Sequence, residues 1–146
     1  MTTGERTDPY LGFRFRVQLD DLTAGGFSEV SGIEVELETE PYEEGGVNRY
    51  THVLPTRLSH SNVTLERGIA DSEELWEWMS EAMHGPPQRK TGQIILHDSQ
   101  NEPVRGWEFV KGFPVRWSGP ELDADQGLVA IESLEIAHQG LDQFTI

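Results

Sequence analysis

The stretch IEVELETE, Ile33 to Glu40, alternates Ile33, Val35, Leu37 and Thr39 with Glu34, Glu36, Glu38 and Glu40. Side chains on an extended strand point alternately to opposite faces, so this order lines four carboxylates along one side. The stretch is read as a strand, with Ile33, Val35 and Leu37 expected toward a sandwich interior and the glutamates outward. The same period of two recurs in FRFRVQL, Phe13 to Leu19, where Phe13, Phe15, Val17 and Leu19 oppose Arg14, Arg16 and Gln18. It recurs again in NVTLERG, Asn62 to Gly68, where Val63 and Leu65 oppose Asn62, Thr64 and Glu66. A chain patterned this way builds sheets with one covered and one polar face.

Between these stretches, DDLTAGG is a turn, and an irregularity is expected at Gly32 within the extended segment FSEVSGIEVELETE. Pro41, Gly45 and Gly46 mark residues 41–55 as a projecting loop, and residues 1–9 read as a flexible polar arm. One helix is expected over 72–84. Asp71 or Ser72 caps it, Glu73 and Glu74 suit its first turn, and Leu75, Trp76, Met79, Ala82 and Met83 form its apolar face. Gly85, Pro86 and Pro87 stop it. GQIILHD, VRGWEFVKGFPVRWSG and GLVAIESLEIAHQGL then read as strands. The expected fold is a single domain over 1–146, mostly β (α+β), a two-sheet sandwich or small barrel with one flanking helix.

Composition narrows the function. The chain carries 26 acidic and 11 basic residues, a formal net charge of −15. Only Lys90 and Lys111 are lysines. Phosphate contacts need clustered Lys and Arg, so direct nucleic-acid binding is disfavoured. A lysine-poor acidic surface fits work at high salt, in a halophilic host, or a surface that must not hold a passing polyanion. With no cysteine there is no disulfide framework and no thiolate chemistry. No apolar run approaches the roughly 18 residues of a membrane span. The opening residues lack a basic-then-apolar signal, so synthesis in the cytoplasm without a classical signal peptide is expected.

A search for chemistry finds none. His52, His60, His84, His97 and His138 have no metal-ligand spacing. Ser28 and Ser31 in GGFSEVSG do not satisfy the G-x-S-x-G pattern. DADQG, Asp123 to Gly127, lacks the glycine and glutamate of a calcium loop and reads as an acidic turn. The sequon NVT, Asn62 to Thr64, lies inside a strand pattern. Carboxylates are too many for any one glycosidase-like pair to stand out. Trp76, Trp78, Trp107 and Trp117 are read as packing or interface residues. No catalytic residue, cofactor or metal is expected.

Taken in order, DPYLGFRFRVQLDDLTAGGFSEVSGIEVELETEPYEEGG, VTLERG (Val63 to Gly68), the helix start at Asp71 to Trp78, IILHDS (Ile94 to Ser99), PVRWSGPELDA (Pro114 to Ala124) and VAIESLEIAHQGL (Val129 to Leu141) resemble the inner-tube proteins of contractile phage tails and phage-tail-like contractile injection systems. At the level of fold that family resembles the haemolysin-coregulated ring protein of type VI secretion. The resemblance implies a non-enzymatic structural subunit. Six copies would form a ring, and rings would stack into a tube that conducts DNA or protein effectors without binding them specifically. The implied partners are further copies of the chain, a surrounding sheath protein, baseplate or hub proteins and a tail terminator, with no stable membrane insertion. The implied location is a virion tail or an injection particle deployed outside the cell.

Two surfaces follow as expectations. The loop residues Pro41, Tyr42, Glu43, Glu44, Gly45, Gly46, Val47, Asn48, Arg49 and Tyr50 are expected to contact a neighbouring subunit. Glu34, Glu36, Glu38 and Glu40 are expected to face the channel or a subunit seam. The N-terminal arm and the closing DQFTI are further stacking candidates. A tube-initiating paralogue from the baseplate, an enzyme with a carboxylate pair and a small carrier that uses the ring lumen are the competing readings.

Overall fold

The computed structural model describes residues 12–22, 26–42, 52–69 and 72–145. Among these, nine strands and one helix follow in the order β1 (Arg14–Leu19), β2 (Phe27–Ser31), β3 (Val35–Tyr42), β4 (His52–His60), β5 (Val63–Gly68), α1 (Glu74–His84), β6 (Lys90–His97), β7 (Pro103–Ser118), β8 (Ile131–Ala137) and β9 (Gly140–Phe144). The mostly β, one-helix architecture is the one expected.

All the pairings are antiparallel. The hydrogen-bonded path runs β1-β6-β7-β8-β5-β2, with β9 on the free flank of β7. The long strand β7 belongs to two layers. Its first half pairs with β6 and β9, and its second half, from Phe113, pairs with β8. Lys111 takes a positive φ of 55° at the junction, and the ladder shifts register between Pro114 and Arg116, the local twist that carries a strand from one layer into the other. The path does not close: β1 and β2 end it without pairing. The result is an open sandwich rather than a barrel.

The alternation read from the sequence fills the space between the layers. Val17 and Leu19 of β1, Ile94 of β6 and Phe109 of β7 meet Val63 and Leu65 of β5 and Leu134 and Ile136 of β8 in one buried cluster. Gly92 sits where Phe109 needs room, because a Cβ there would overlap the Phe109 ring. Helix α1 closes the core with Leu75 and Trp78. Here the expected face was wrong at Trp76 and Met83 and missed Trp78. Trp78 is buried and donates its Nε1–H to the Gln88 carbonyl at 2.8 Å, while Trp76 and Met83 are exposed. Residues 75, 78, 79 and 82 share a helical face, and Trp76 sits off it, edge-on to Trp117 at 4.9 Å. The helix also starts later than expected, at Glu74, with the Ser72 hydroxyl accepting from the Glu74 N–H at 3.4 Å.

Two strand boundaries also differ. The C-terminal segment read as one strand is two, β8 and β9, and most of DQFTI belongs to β9 against β7 rather than to a free tail. The extended segment after Phe27 breaks at Gly32, as expected. Gly32 takes φ +89°, and a side chain there would collide with the Asn62 carbonyl. The break frees β3 from the sandwich.

Candidate functional site: an assembly surface

Strand β3 pairs with β4 alone, and the two form a separate ribbon. The loop expected over 41–55 is therefore mostly ladder in its described parts. Pro41 and Tyr42 end β3, and His52 to Pro55 begin β4. Sequence reasoning missed β4 altogether. Glu43, Glu44, Gly45, Gly46, Val47, Asn48, Arg49 and Tyr50, between the strands, lie outside the described residues, as do the arm residues 1–9.

Register fixes which side chains share a face, because directly opposed residues of an antiparallel pair lie on the same side. Val35 opposes His60, Leu37 opposes Leu58, Thr39 opposes Pro55 and Pro41 opposes Val53. That face is apolar. Glu36 opposes Ser59, Glu38 opposes Arg57, Glu40 opposes Leu54 and Tyr42 opposes His52. That face is acidic. The register slips between Glu38 and Thr39, which leaves Thr56 unpaired, and its hydroxyl donates to the Glu38 carbonyl at 3.1 Å.

Val35, Leu37, Val53 and Leu58 are 53%, 55%, 61% and 63% exposed. Val35 and Leu37 thus do not face the sandwich interior, contrary to expectation; only Ile33, before the ribbon begins, packs on the core. Monomeric soluble proteins rarely leave so continuous an apolar strip in water, and such strips mark interaction surfaces.

The ribbon's root is held firmly. The Ser61 hydroxyl donates to the Glu34 carboxylate at 2.7 Å, and the Ser61 N–H to the Glu34 carbonyl at 3.3 Å. Glu34 is therefore engaged at the base, apart from Glu36, Glu38 and Glu40. The rings of His60 and His138 stack with centroids 4.3 Å apart, and His138 Nε2–H donates to the Ser61 carbonyl at 3.0 Å. Burial, and then the charge of His60, hold the His138 imidazole below its ordinary pKa.

The stretches weighed and set aside for chemistry make structural contacts. The Ser28 hydroxyl donates to the Glu66 carbonyl, the Asn62 amide to the Glu135 carboxylate, and Asp123 accepts from the Asp125 N–H within its turn. Among the described residues no group of three or more His, Asp or Glu side chains is placed to hold a metal. A carboxylate pair does exist: Glu29 and Glu66 oppose each other across β2 and β5 on the outer face. A hydrogen bond from Glu29, then desolvation, then its charge raise the Glu66 pKa. Glu66 borders an open pocket of about 400 Å³ with Ser118, Glu121 and Ser133, but Glu29 does not line it, so the two carboxyls do not converge on one cavity.

An open β sandwich with a detached amphipathic ribbon defines a class of protein made for association with copies or partners. The particular kind follows from comparison. The pattern of the T4-like virus tail tube protein gp19 family matches residues 11–142, and the chain belongs to that family. No curated protein sequence matches. Among solved structures, the fold matches a chain of the PVC sheath–tube complex of an extracellular contractile injection system, in the extended state, with a TM-score of 0.85 at 22% identity, over 100% of this chain and 99% of that one. It matches a chain of the tube-terminating cap of the anti-feeding prophage with a TM-score of 0.85 at 22% identity, over the whole of both chains. Hcp1 from Flavobacterium johnsoniae matches with a TM-score of 0.63 at 16% identity, over 90% and 98%. The family is one of structural tail tube proteins rather than enzymes.

Proposed function

We propose that this chain is the repeating subunit of the inner tube of a contractile tail or injection system. Six copies make a ring, and rings stack into a conduit for DNA or protein effectors. A sheath surrounds the tube, and baseplate and terminator proteins bound its ends. The observation that carries this reading is the β3–β4 ribbon, whose apolar strip has no cover among the described residues and needs a neighbouring subunit to supply one. Pro41 and Tyr42 at the end of β3, with residues 43–50 that follow them in sequence, are assigned to the same contact. Once the apolar face is covered, Glu36, Glu38 and Glu40 are the wet side of the ribbon, and they line the channel or a seam with Glu34 at their base. An acidic surface repels both DNA and acidic cargo, which suits passage without capture. No helix among the described residues is long and apolar enough to cross a membrane, in keeping with a particle assembled in solution. Negative-stain electron microscopy of the purified protein tests the reading. Rings or tubes are expected, and monodisperse monomers at high concentration reject it.

A further inference from the structure

The ribbon joins the sandwich through a narrow root. On one side the chain leaves the core through Gly32 and Ile33, and on the other it returns through His60, Ser61 and Asn62 into β5. His138, between β8 and β9, grips this root from the sandwich side. Its side chain is buried, its ring stacks on His60 with centroids 4.3 Å apart, and its Nε2–H donates to the Ser61 carbonyl at 3.0 Å. The ring of Phe109, from the core, lies 5.6 Å from it.

A proton on half-buried His60 alone is met by Glu34 and Glu36, which border the same small cavity. A second proton, on His138, would have to enter a buried site stacked on the first. Burial, and then the charge of His60, accordingly hold the His138 pKa down. Glu135 is engaged by the Asn62 amide, and Lys111, next to Val110 whose carbonyl accepts the Gln139 N–H, is itself a cation. Neither relieves a charge on His138.

From this geometry we infer that His60 and His138 form an acid-sensitive latch at the ribbon root, closed while His138 is neutral and open when both rings are charged. Opening separates the stack and lets the root turn about Gly32 and Ser61. The sandwich stays folded, because its buried core has no member in the ribbon. The closed latch holds His138 in its neutral form and opening restores its ordinary proton affinity. The open form therefore binds more protons, and acid shifts the population toward it. The consequence for assembly rests on the tube-subunit reading. A ribbon that a neighbouring subunit covers must leave its own sandwich at a fixed angle, so the closed latch favours assembly. By reciprocity, assembly keeps His138 neutral.

Amide hydrogen exchange read by mass spectrometry tests the latch on the full chain at about pH 7.5 and about pH 5.5, on either side of the ordinary histidine pKa of roughly 6.5. After correction for intrinsic exchange, protection over residues 58–62 is expected to fall roughly tenfold in acid, the effect of a proton held one pKa unit more tightly by the open form. Strands β6 and β8 are expected to exchange only through global unfolding at both pH values. His138→Gln keeps a donor for the Ser61 carbonyl but takes up no proton, and its root is expected not to respond. His60→Phe keeps a stacked ring without its charge, and its response is expected to be smaller than the native one. A native root that ignores pH, or a response in His138→Gln equal to the native one, overturns the latch. So does a sandwich that opens together with the root. If His138→Gln does not fold, a response in His60→Phe equal to the native one overturns it instead. Light scattering on the same samples is expected to show native tubes forming at the higher pH and dissolving at the lower, with His138→Gln indifferent. A loosened root with no tubes at either pH upholds the latch and rejects the tube reading. Tubes that ignore pH despite a loosened root reject the latch's control of assembly.

Discussion

Arg67 and Glu132 face each other across β5 and β8 with Nε and Oε1 2.8 Å apart, and their side chains are only 4% and 7% exposed. Arg67 continues the inward row of Val63 and Leu65, so its charge enters the sandwich. There its second nitrogen donates to the Ser72 carbonyl at 3.3 Å, and its guanidinium lies 5.6 Å from the Phe27 ring centroid. The pair therefore ties the sheet to the approach of α1. Removing one partner strands a buried charge, so Glu132→Leu is expected to lower unfolding free energy by about 3–5 kcal/mol. The double replacement Arg67→Met with Glu132→Leu is expected to be less damaging than the single one. Urea unfolding of the single and double variants measures both, and an additive double variant contradicts the coupling.

Acid is expected to weaken the fold through His138. Its imidazole is buried beside Phe109 and stacked on His60, and its pKa is lowered, by burial first and by His60 second. In the unfolded chain it takes up a proton near pH 6.5, at roughly the ordinary histidine value. Just below that pH the unfolded state binds more protons than the native one, so stability falls as pH drops through it and levels off below the folded pKa. Thermal unfolding on either side of that pH checks the sign. His138→Gln is expected to flatten the decline; an unchanged slope in the variant assigns the effect to another group.

The pattern of two made β1 and β5 legible because each has one face on the core and one in water. It misled at β3, where the alternation is just as strict but no core among the described residues lies beneath Val35 and Leu37. Alternation reports that two faces differ; it does not report whether the cover belongs to the same molecule. Strand β4 was hidden for a different reason. Pro55 is a poor strand residue, and the unpaired Thr56 puts Val53 and Leu58 out of phase along the sequence although they share a face. The stacking of His60 on His138 joins residues far apart in sequence and leaves no local signal. Family membership was legible because it rests on the order of many short motifs rather than on any single face.

Gly92 tests the packing that holds the two layers together. A methyl group there would overlap the Phe109 ring and press on Leu19. Gly92→Ala is expected to destabilise the fold by about 1–3 kcal/mol, the usual effect of overpacking a filled core. Chemical denaturation measures it. A neutral outcome would mean that the Phe109 ring can move aside without loss.

Deletion of residues 43–48 separates folding from assembly. The buried core takes nothing from the ribbon, since its members come from β1, β5, α1, β6, β7 and β8. The shortened protein is expected to keep its unfolding transition and lose rings and tubes. Circular dichroism and electron microscopy on one sample decide it: tubes of normal appearance reject a role for residues 43–48 in assembly.

The row Glu36, Glu38 and Glu40 is expected to set the salt needed for assembly. The three carboxylates share the acidic face of the ribbon with one cation, Arg57, opposite Glu38. In a ring each copy adds its own row, and repulsion between rows grows with every subunit. Salt shortens the reach of that repulsion from about 10 Å at 0.1 M to about 3 Å at 1 M. Assembly of the native protein, followed by light scattering, is therefore expected to rise with salt. The triple variant Glu36→Gln, Glu38→Gln, Glu40→Gln is expected to assemble at lower salt. Its fold stability should stay within about 0.5 kcal/mol of the native protein, as for exposed substitutions in general. If both proteins assemble equally well at low and at molar salt, the row is not under electrostatic load, and a halophilic origin for the chain's acidity loses its support.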